Sequence, residues 1–209
     1  MVNAKIPLEL KGKLILGSKS PRRSELLKIL NIPFEIRTSE ADEVSPPGLN
    51  DIETVSWVAR QKSDALLTTL NSGEILLTAD TEVWMDGIRY GKPKDIDDCQ
   101  KMLSRLSGRE HRVITSVWAT DGKIWNNCSN LTLVTFENLP SKWIEWYVEN
   151  YKPFDKAGGY GAQEWIGHIG IKSIEGSYDN VKGLPLRAVL EVLNPWMISI
   201  EKDLETFKN

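Results

Sequence analysis

Two hydroxyls and two guanidiniums gather in Ser18-Lys19-Ser20-Pro21-Arg22-Arg23, directly after the short apolar run Leu14 to Gly17. Ser20 before Pro21 has the form of an N-cap followed by proline at the first helical position, so a helix is expected to open straight off a strand. Free N–H groups, the helix dipole and paired arginine forks there make a site for an anion. A plain cap with two solvated arginines has the same composition, and this stretch by itself does not choose between them.

Asp80 closes a second apolar run, Glu74 to Asp80, and open α/β sheets place ligands at the C-terminal ends of such strands. A carboxylate there can hold a divalent metal or take a proton from water, and it can equally cap a turn. Asp42 and Glu43, after the strand-like Phe34 to Thr38, can add oxygen ligands, or they are a solvated acidic pair. Lys62 interrupts the apolar face of a long helical pattern, where an ammonium needs either an anionic partner or a route out to water. Lys92, in Gly91-Lys92-Pro93, is a further cation between two residues that restrict the backbone. Together these cations, hydroxyls and carboxylates suit a metal-bound polyphosphate. Walker A, a G-x-G-x-x-G turn after the first strand and kinase signatures are all absent, so no nucleotide is gripped by those loops.

The elements that must position these groups alternate in the way of an α/β sheet. Pro21 begins a helix with Leu26, Leu27 and Leu30 on its apolar face, ending at Asn31. Ser45-Pro46-Pro47-Gly48 is a loop. Asp51 to Leu70 is the longest helix candidate, with Val55, Val58, Ala59 and Leu66 on one side. Thr81 to Tyr90 reads as a hairpin around Asp86-Gly87, Asp95 to Leu106 as a helix, and Arg112 to Glu137 as a ribbon turning at Asp121-Gly122. Ser141 to Tyr151 returns to helix. Lys156 to Gly183 is glycine-rich without clear period, so backbone is expected to pass close to something there. A last helix begins near Pro185, with Leu186, Val189, Leu190 and Leu193 on one stripe.

The chain has 209 residues with 26 basic and 29 acidic side chains, a net charge of −3. That balance argues against a coat for bulk nucleic acid or an anionic membrane, and a DNA-binding reading of Ser-Pro-Arg-Arg has no continuous basic stripe behind it. No stretch approaches a membrane span, and no signal-peptide core precedes Leu10, which makes the cytoplasm the default location. Cys99 and Cys128 lack disulfide or zinc spacing, and His111 and His168 read as surface or satisfied core residues. Eight tryptophans are present. Trp57, Trp118, Trp143 and Trp146 are expected to pack in the core or in dimer contacts.

At this point the sequence resembles the Maf (septum formation inhibitor) nucleoside triphosphate pyrophosphatases over most of its length. The resemblance rests on Leu16 to Arg23 with Glu25-Leu26-Leu27, Ala79-Asp80-Thr81, Gly91-Lys92-Pro93-Lys94 and Leu106-Ser107-Gly108-Arg109. It continues through Asp155-Lys156-Ala157-Gly158, Gly176-Ser177-Tyr178 with Asn180-Val181, and Gly183-Leu184-Pro185-Leu186. It implies one domain over 1–209, with an inosine-triphosphatase-like mixed twisted sheet and flanking helices forming two lobes around a cleft. It also implies hydrolysis of nucleoside triphosphates to monophosphate and pyrophosphate, a house-cleaning role, a homodimer and a divalent cation, Mg²⁺ or Mn²⁺.

Carried over by residue, the resemblance makes Asp80 the catalytic acid or base. It makes Ser18, Arg23, Lys62 and Lys92 triphosphate contacts, and Asp80 with Glu43 the metal ligands. The positions associated with base choice fall on Arg22, Thr81 and Gln163. Arg22 and Thr81 match the dTTP and UTP branch rather than the 7-methyl-GTP branch. Gly159 stands where alanine is usual, Ala162 replaces a larger aliphatic, and Ile166-Gly167-His168 is an unusual continuation. The competing reading is a non-catalytic nucleotide sensor that regulates cell division through a protein partner.

Overall fold

The structure is a computed structural model that describes residues 8–38 and 44–198. Asp42 and Glu43 lie outside the described residues. Strand β1 (Lys13–Leu16) leads into helix α1 (Pro21–Ile29) and strand β2 (Phe34–Ile36). Helix α2 (Asp51–Leu67), strands β3 (Glu74–Met85) and β4 (Ile88–Tyr90) and helix α3 (Ile96–Leu106) follow. The long ribbon is β5 (Glu110–Thr120) with β6 (Trp125–Phe136), then α4 (Ser141–Tyr151), α5 (Trp165–Gly170), β7 (Ile171–Glu175), α6 (Tyr178–Lys182) and α7 (Leu186–Leu193). The seven strands form one mixed sheet in the order β2-β1-β3-β5-β6-β7, with β4 added beside β3. β1 runs parallel to β2 and β3, and the remaining pairs are antiparallel.

Local chemistry accounts for the elements next to the cleft. Helix α2 opens on a reciprocal cap in which Asn50 Oδ1 accepts from Glu53 N and Glu53 Oε2 accepts from Asn50 N, each at 2.9 Å. Such a cap satisfies two of the donors a helix start leaves unpaired. Helix α1 has proline in its first turn, but the expected cap at Ser20 differs in detail: the Ser20 side chain makes no capping bond, and its N–H instead donates to Ser18 Oγ at 3.2 Å. The hairpin forms at Asp86-Gly87, whose φ values of 53° and 73° are what a tight two-residue connection requires.

The main correction concerns β3. The sequence pattern predicts a strand ending at Asp80, with a separate hairpin from Thr81. In the structure β3 runs unbroken from Glu74 to Met85, because the pairing with β5 continues past Asp80 from Leu76↔Thr120 to Trp84↔Arg112. Asp80 is therefore a mid-strand residue. The other edge of β3 is interrupted: β1 pairs with it only through Leu77, and β4 joins at Val83. Among the described residues, positions 78–82 carry no strand on that side, which leaves a notch in the sheet.

The notch lies between two cores. The first packs Leu14 and Leu16 of β1, Leu26 and Leu27 of α1 and Val189, Val192 and Leu193 of α7 against Ile75, Leu77 and Ala79 of β3. The second packs Leu103 and Leu106 of α3 and Ile144, Tyr147 and Val148 of α4 against Val83 and Met85, farther along the same strand. Helix α2 covers the opposite face of the sheet with Val55, Val58, Ala59 and Leu66, all buried. Alternation along β3 thus sends Thr78 and Asp80 toward α2 and Ala79 and Val83 into the two cores. Trp57, Trp143 and Trp146 are 44%, 43% and 46% exposed, so of the two placements expected for them, core or dimer contact, they do not take the core. Trp118 is half-buried, its Nε1 donating to Ser56 Oγ at 3.2 Å. Tethering to neighbouring elements, not burial, places it.

Candidate functional site

The notch opens into a cleft of about 590 Å³, within the range of small-molecule sites. Gly17 sets its floor: a Cβ there would lie 2.7 Å from Thr78 Cγ2 and 2.9 Å from Leu66 Cδ1, so only glycine lets the chain leave β1 so close to β3. Ser18 follows, 8% exposed, and its Oγ accepts from Ser20 N at 3.2 Å and from Arg23 Nη1 at 3.4 Å.

Arg23 crosses the cleft. Its Nε donates to Gly183 O at 2.9 Å and its Nη2 to Thr81 Oγ1 at 3.2 Å, which ties α1 to β3 and to the turn after α6. Gly183 has φ 106°, a backbone conformation glycine permits. Thr81 Oγ1 lies 2.9 Å from Thr115 Oγ1, which in turn donates to Asn180 O at 3.2 Å. Asn180 Nδ2 donates to Val113 O at 3.0 Å and Thr132 Oγ1 at 2.8 Å. This chain fastens the glycine-rich segment to the sheet. That segment is less irregular than its sequence suggests, since it contains α5, β7 and α6, each too short to show a period.

Asp80 is 6% exposed, and Lys62 of α2 donates to its Oδ1 at 2.5 Å. The lysine on the apolar helix face thus has an anionic partner. Glu82, two residues on and 2% exposed, was not anticipated from sequence. Its Oε2 accepts from Trp84 Nε1 at 3.0 Å, and its Oε1 is in ionic contact with Arg89 at 2.5 Å without an aligned hydrogen bond. Burial first, and the Asp80 charge second, push the Glu82 carboxyl up to about 7 against the pull of Arg89.

Across the cleft Arg22 Nη1 donates to Asp155 Oδ2 at 2.6 Å, and Lys156 bridges Asp155 at 2.7 Å and Glu164 at 3.1 Å. Burial raises Asp155, but the bonds from Lys156 and Arg22 outweigh it and hold the carboxyl below its ordinary value. Tyr147 donates its hydroxyl to Glu164 and accepts from Gly161 N at 3.1 Å; burial, then that carboxylate, push the phenol upward. Gln163 lines the cleft with a buried Oε1 that has no hydrogen-bond partner among the described residues.

Ser18, Arg22, Arg23, Lys62, Asp80, Thr81, Lys92 and Gln163 all line this one cleft. Lys19, Asp155, Lys156, Tyr160 and Lys182 line it too, although the sequence reading gave them no role. The Asp155-Lys156 pair ahead of the glycine-rich stretch was the available signal. The lining holds seven lysines and arginines against two carboxylates, so its field favours a polyanion in a chain whose net charge is negative. Glu43 lies outside the described residues. Among those residues no group of three or more His, Cys, Asp or Glu forms a metal cluster, so a cation here would take Asp80 with oxygens brought by the ligand. No helix among the described residues is long and apolar enough to cross a membrane.

Known proteins resemble the chain over nearly this whole region. The dTTP/UTP pyrophosphatase of Flavobacterium psychrophilum is 47% identical over 183 residues, covering 87% of this chain and 94% of that protein. The dTTP/UTP pyrophosphatase of Phocaeicola vulgatus is 46% identical over 178 residues, 85% of this chain and 92% of that protein. Among solved structures, a nucleoside-triphosphatase / dITP/XTP pyrophosphatase from Mycobacterium abscessus is a remote likeness, with TM-score 0.44 and 15% identity over 94% of this chain and 98% of that one. The sequence model for Maf-like protein matches residues 13–196, and the chain belongs to that family.

Proposed function

We propose that this chain is a nucleoside triphosphate pyrophosphatase that hydrolyses dTTP and UTP to the monophosphate and pyrophosphate. The observation that carries the reading is the Lys62–Asp80 pair set in a cleft with six further cations. The names of the relatives support it.

In this reading Ser18, Arg23, Lys62 and Lys92 hold the triphosphate. Fixed cations act on charge that grows as the phosphoryl bond breaks, and preorganised groups do so without reorganisation cost. Lys62 holds Asp80 Oδ1, and Oδ2 accepts the proton of the attacking water. The water oxygen bonds to the α-phosphorus, the bond from that phosphorus to the α–β bridging oxygen breaks, and pyrophosphate leaves with the electron pair. A carboxylate beside phosphate oxygens is a donor set that fits Mg²⁺ or Mn²⁺, with Asp80, and Glu43 by family resemblance, as the protein ligands. Such a cation, when bound, lowers the pKa of water and stabilises phosphoryl oxygens. Arg22, Thr81 and Gln163 discriminate the base, and the unpartnered Gln163 Oε1 is an acceptor available to it. We further infer that residues 1–209 act as one unit, as a cytoplasmic homodimer with no nucleic-acid partner, in keeping with the family resemblance.

Pyrophosphate release from dTTP, UTP, CTP, GTP, 7-methyl-GTP and ITP, with Mg²⁺ or Mn²⁺ and with chelator, tests the reading. Metal-dependent release led by dTTP and UTP is expected. Release led by a purine would overturn the base assignment, and triphosphate binding without product would overturn the enzyme in favour of the sensor.

A further inference from the structure

The cleft has two unlike walls. Ser18 to Arg23 span the turn off β1 and the first turn of α1, two elements that pack in the first core, and carry hydroxyls and cations. Val83, Val113 and Tyr160 belong to the second core, with Ala157 and Val181 packed against it, and they supply the apolar lining. A nucleotide whose phosphates lie on the cationic wall turns its sugar and base toward the apolar one.

Tyr160 is the one aromatic side chain in that lining, among the described residues. It is 6% exposed, stands edge-on to Phe136 with ring centroids 4.9 Å apart, and sits between Gly159 and Gly161, where neighbouring side chains do not crowd it. Its hydroxyl points away from solvent, 2.7 Å from His111 Nε2. His111 is 1% exposed on β5, edge-on to the same ring at 5.5 Å, and it does not line the cleft. Burial holds the His111 ring down at about 4, so it is neutral at physiological pH. An apolar residue would fill this place in the core without needing a partner. A polar pair directly behind the wall instead selects one placement of the ring through the bond at Nε2, even though His111 Nδ1 is buried without a hydrogen-bond partner among the described residues.

We infer that Tyr160 is the wall against which the sugar and base of the nucleotide pack, and that His111 is a positioning residue that touches no substrate but fixes Tyr160 through its hydroxyl. The inference rests on the reading of the cleft as a nucleoside triphosphate site. Its test is a comparison of two ligands by calorimetry: a non-hydrolysable α,β-imido dTTP, which spans both walls, and inorganic tripolyphosphate, which meets only the cations.

His111→Phe and Tyr160→Phe should each weaken the nucleotide by about fivefold, the scale of one lost hydrogen bond. The double variant should be no weaker than the worse single, since both remove the same bond. Tripolyphosphate should bind all three within about twofold of wild type, a change below the worth of one hydrogen bond. His111→Gln, which keeps a hydrogen-bonding group toward Tyr160, should recover part of the loss. Unchanged nucleotide affinity in folded variants would overturn the inference, as would equal weakening of both ligands or additive losses. If His111→Phe does not fold, Tyr160→Phe and His111→Gln decide the matter from the other side of the bond. Binding is separate from turnover: a wild type that binds the analogue but releases no pyrophosphate from dTTP overturns the pyrophosphatase reading, while the affinity pattern still decides the role of His111.

Discussion

Lys62 Nζ lies 2.5 Å from Asp80 Oδ1, with side chains 16% and 9% exposed, and this pair joins α2 to β3 at the boundary between the two cores. Two opposite charges so placed neutralise one another, and removing either leaves the other short of its partner in a largely desolvated position.

Asp80→Asn keeps the side-chain shape but neither accepts a proton nor neutralises Lys62. Turnover is expected to fall by about a thousandfold or more, in the range of general-base losses, and the thermal midpoint to fall with it while the fold is kept, because Asn leaves the largely desolvated Lys62 charge without its counter-charge. Pyrophosphate release alongside a thermal melt checks both halves. Undiminished turnover would remove Asp80 from the chemistry.

The two arginines of α1 should separate experimentally. Arg23 makes three bonds to protein groups from three segments. Arg23→Lys loses the planar fork, so kcat/KM and the thermal midpoint are expected to drop together. Arg22 is paired at the rim with Asp155, whose side chain is 57% exposed. Asp155→Asn is expected to cost less than about 1 kcal/mol of stability while shifting the preference between dTTP and other bases, read from kcat/KM ratios.

Acid should unfold the protein partly through His111. The folded-state value of about 4 lies below the ordinary 6.5, so between those two the unfolded chain binds the proton and the native chain does not. The contribution is therefore complete above about pH 6.5 and is lost as pH falls toward 4, reaching up to about 3 kcal/mol. Groups around the ring do not reverse the sign: Phe136 is uncharged, the Tyr160 phenol stays protonated because burial raises it, and the Arg109 backbone only opposes part of the burial effect. Urea midpoints at pH 7.5, 6 and 4.5 should fall steeply for wild type and less so for His111→Phe. Parallel slopes would count against it.

The backbone at position 159 favours glycine. Its φ is 73°, and a Cβ would lie 2.8 Å from Cys99 Sγ. Gly159→Ala is expected to destabilise by about 1–3 kcal/mol, measured by chemical denaturation. Adding Cys99→Ala should return the part due to the clash and leave the part due to φ.

Much of the site was readable because each clue was local. Pro21 after Ser20 announces a helix start, Asp86-Gly87 a tight hairpin, and a lysine on the apolar face of α2 either a buried anion or a route to water, of which Asp80 supplies the first. What escaped depends on pairing between distant segments. Thr81 to Met85 has the alternation of a strand in either reading, and only the ladder with β5 shows that β3 continues. Asp155 and Lys156 look like an ordinary surface pair until Arg22, more than a hundred residues away, is found on the other side of Asp155. Glu82 lies inside the expected hairpin with no local mark of burial; Trp84 and Arg89, brought beside it by the fold, are what hold its carboxylate. The helices between Lys156 and Gly183 are five and six residues long, less than two turns, and carry no periodic signal.

Strands β3, β5 and β6 run 12, 11 and 12 residues without a break beneath both cores. Two-domain enzymes that clamp their ligands often swing two bodies about a short hinge. Here such a swing would tear the ladders on which the notch is cut. Traffic of substrate and product must instead be carried by side chains and connecting turns at the rim, the Arg22–Asp155 bridge foremost, while the platform beneath them stays rigid.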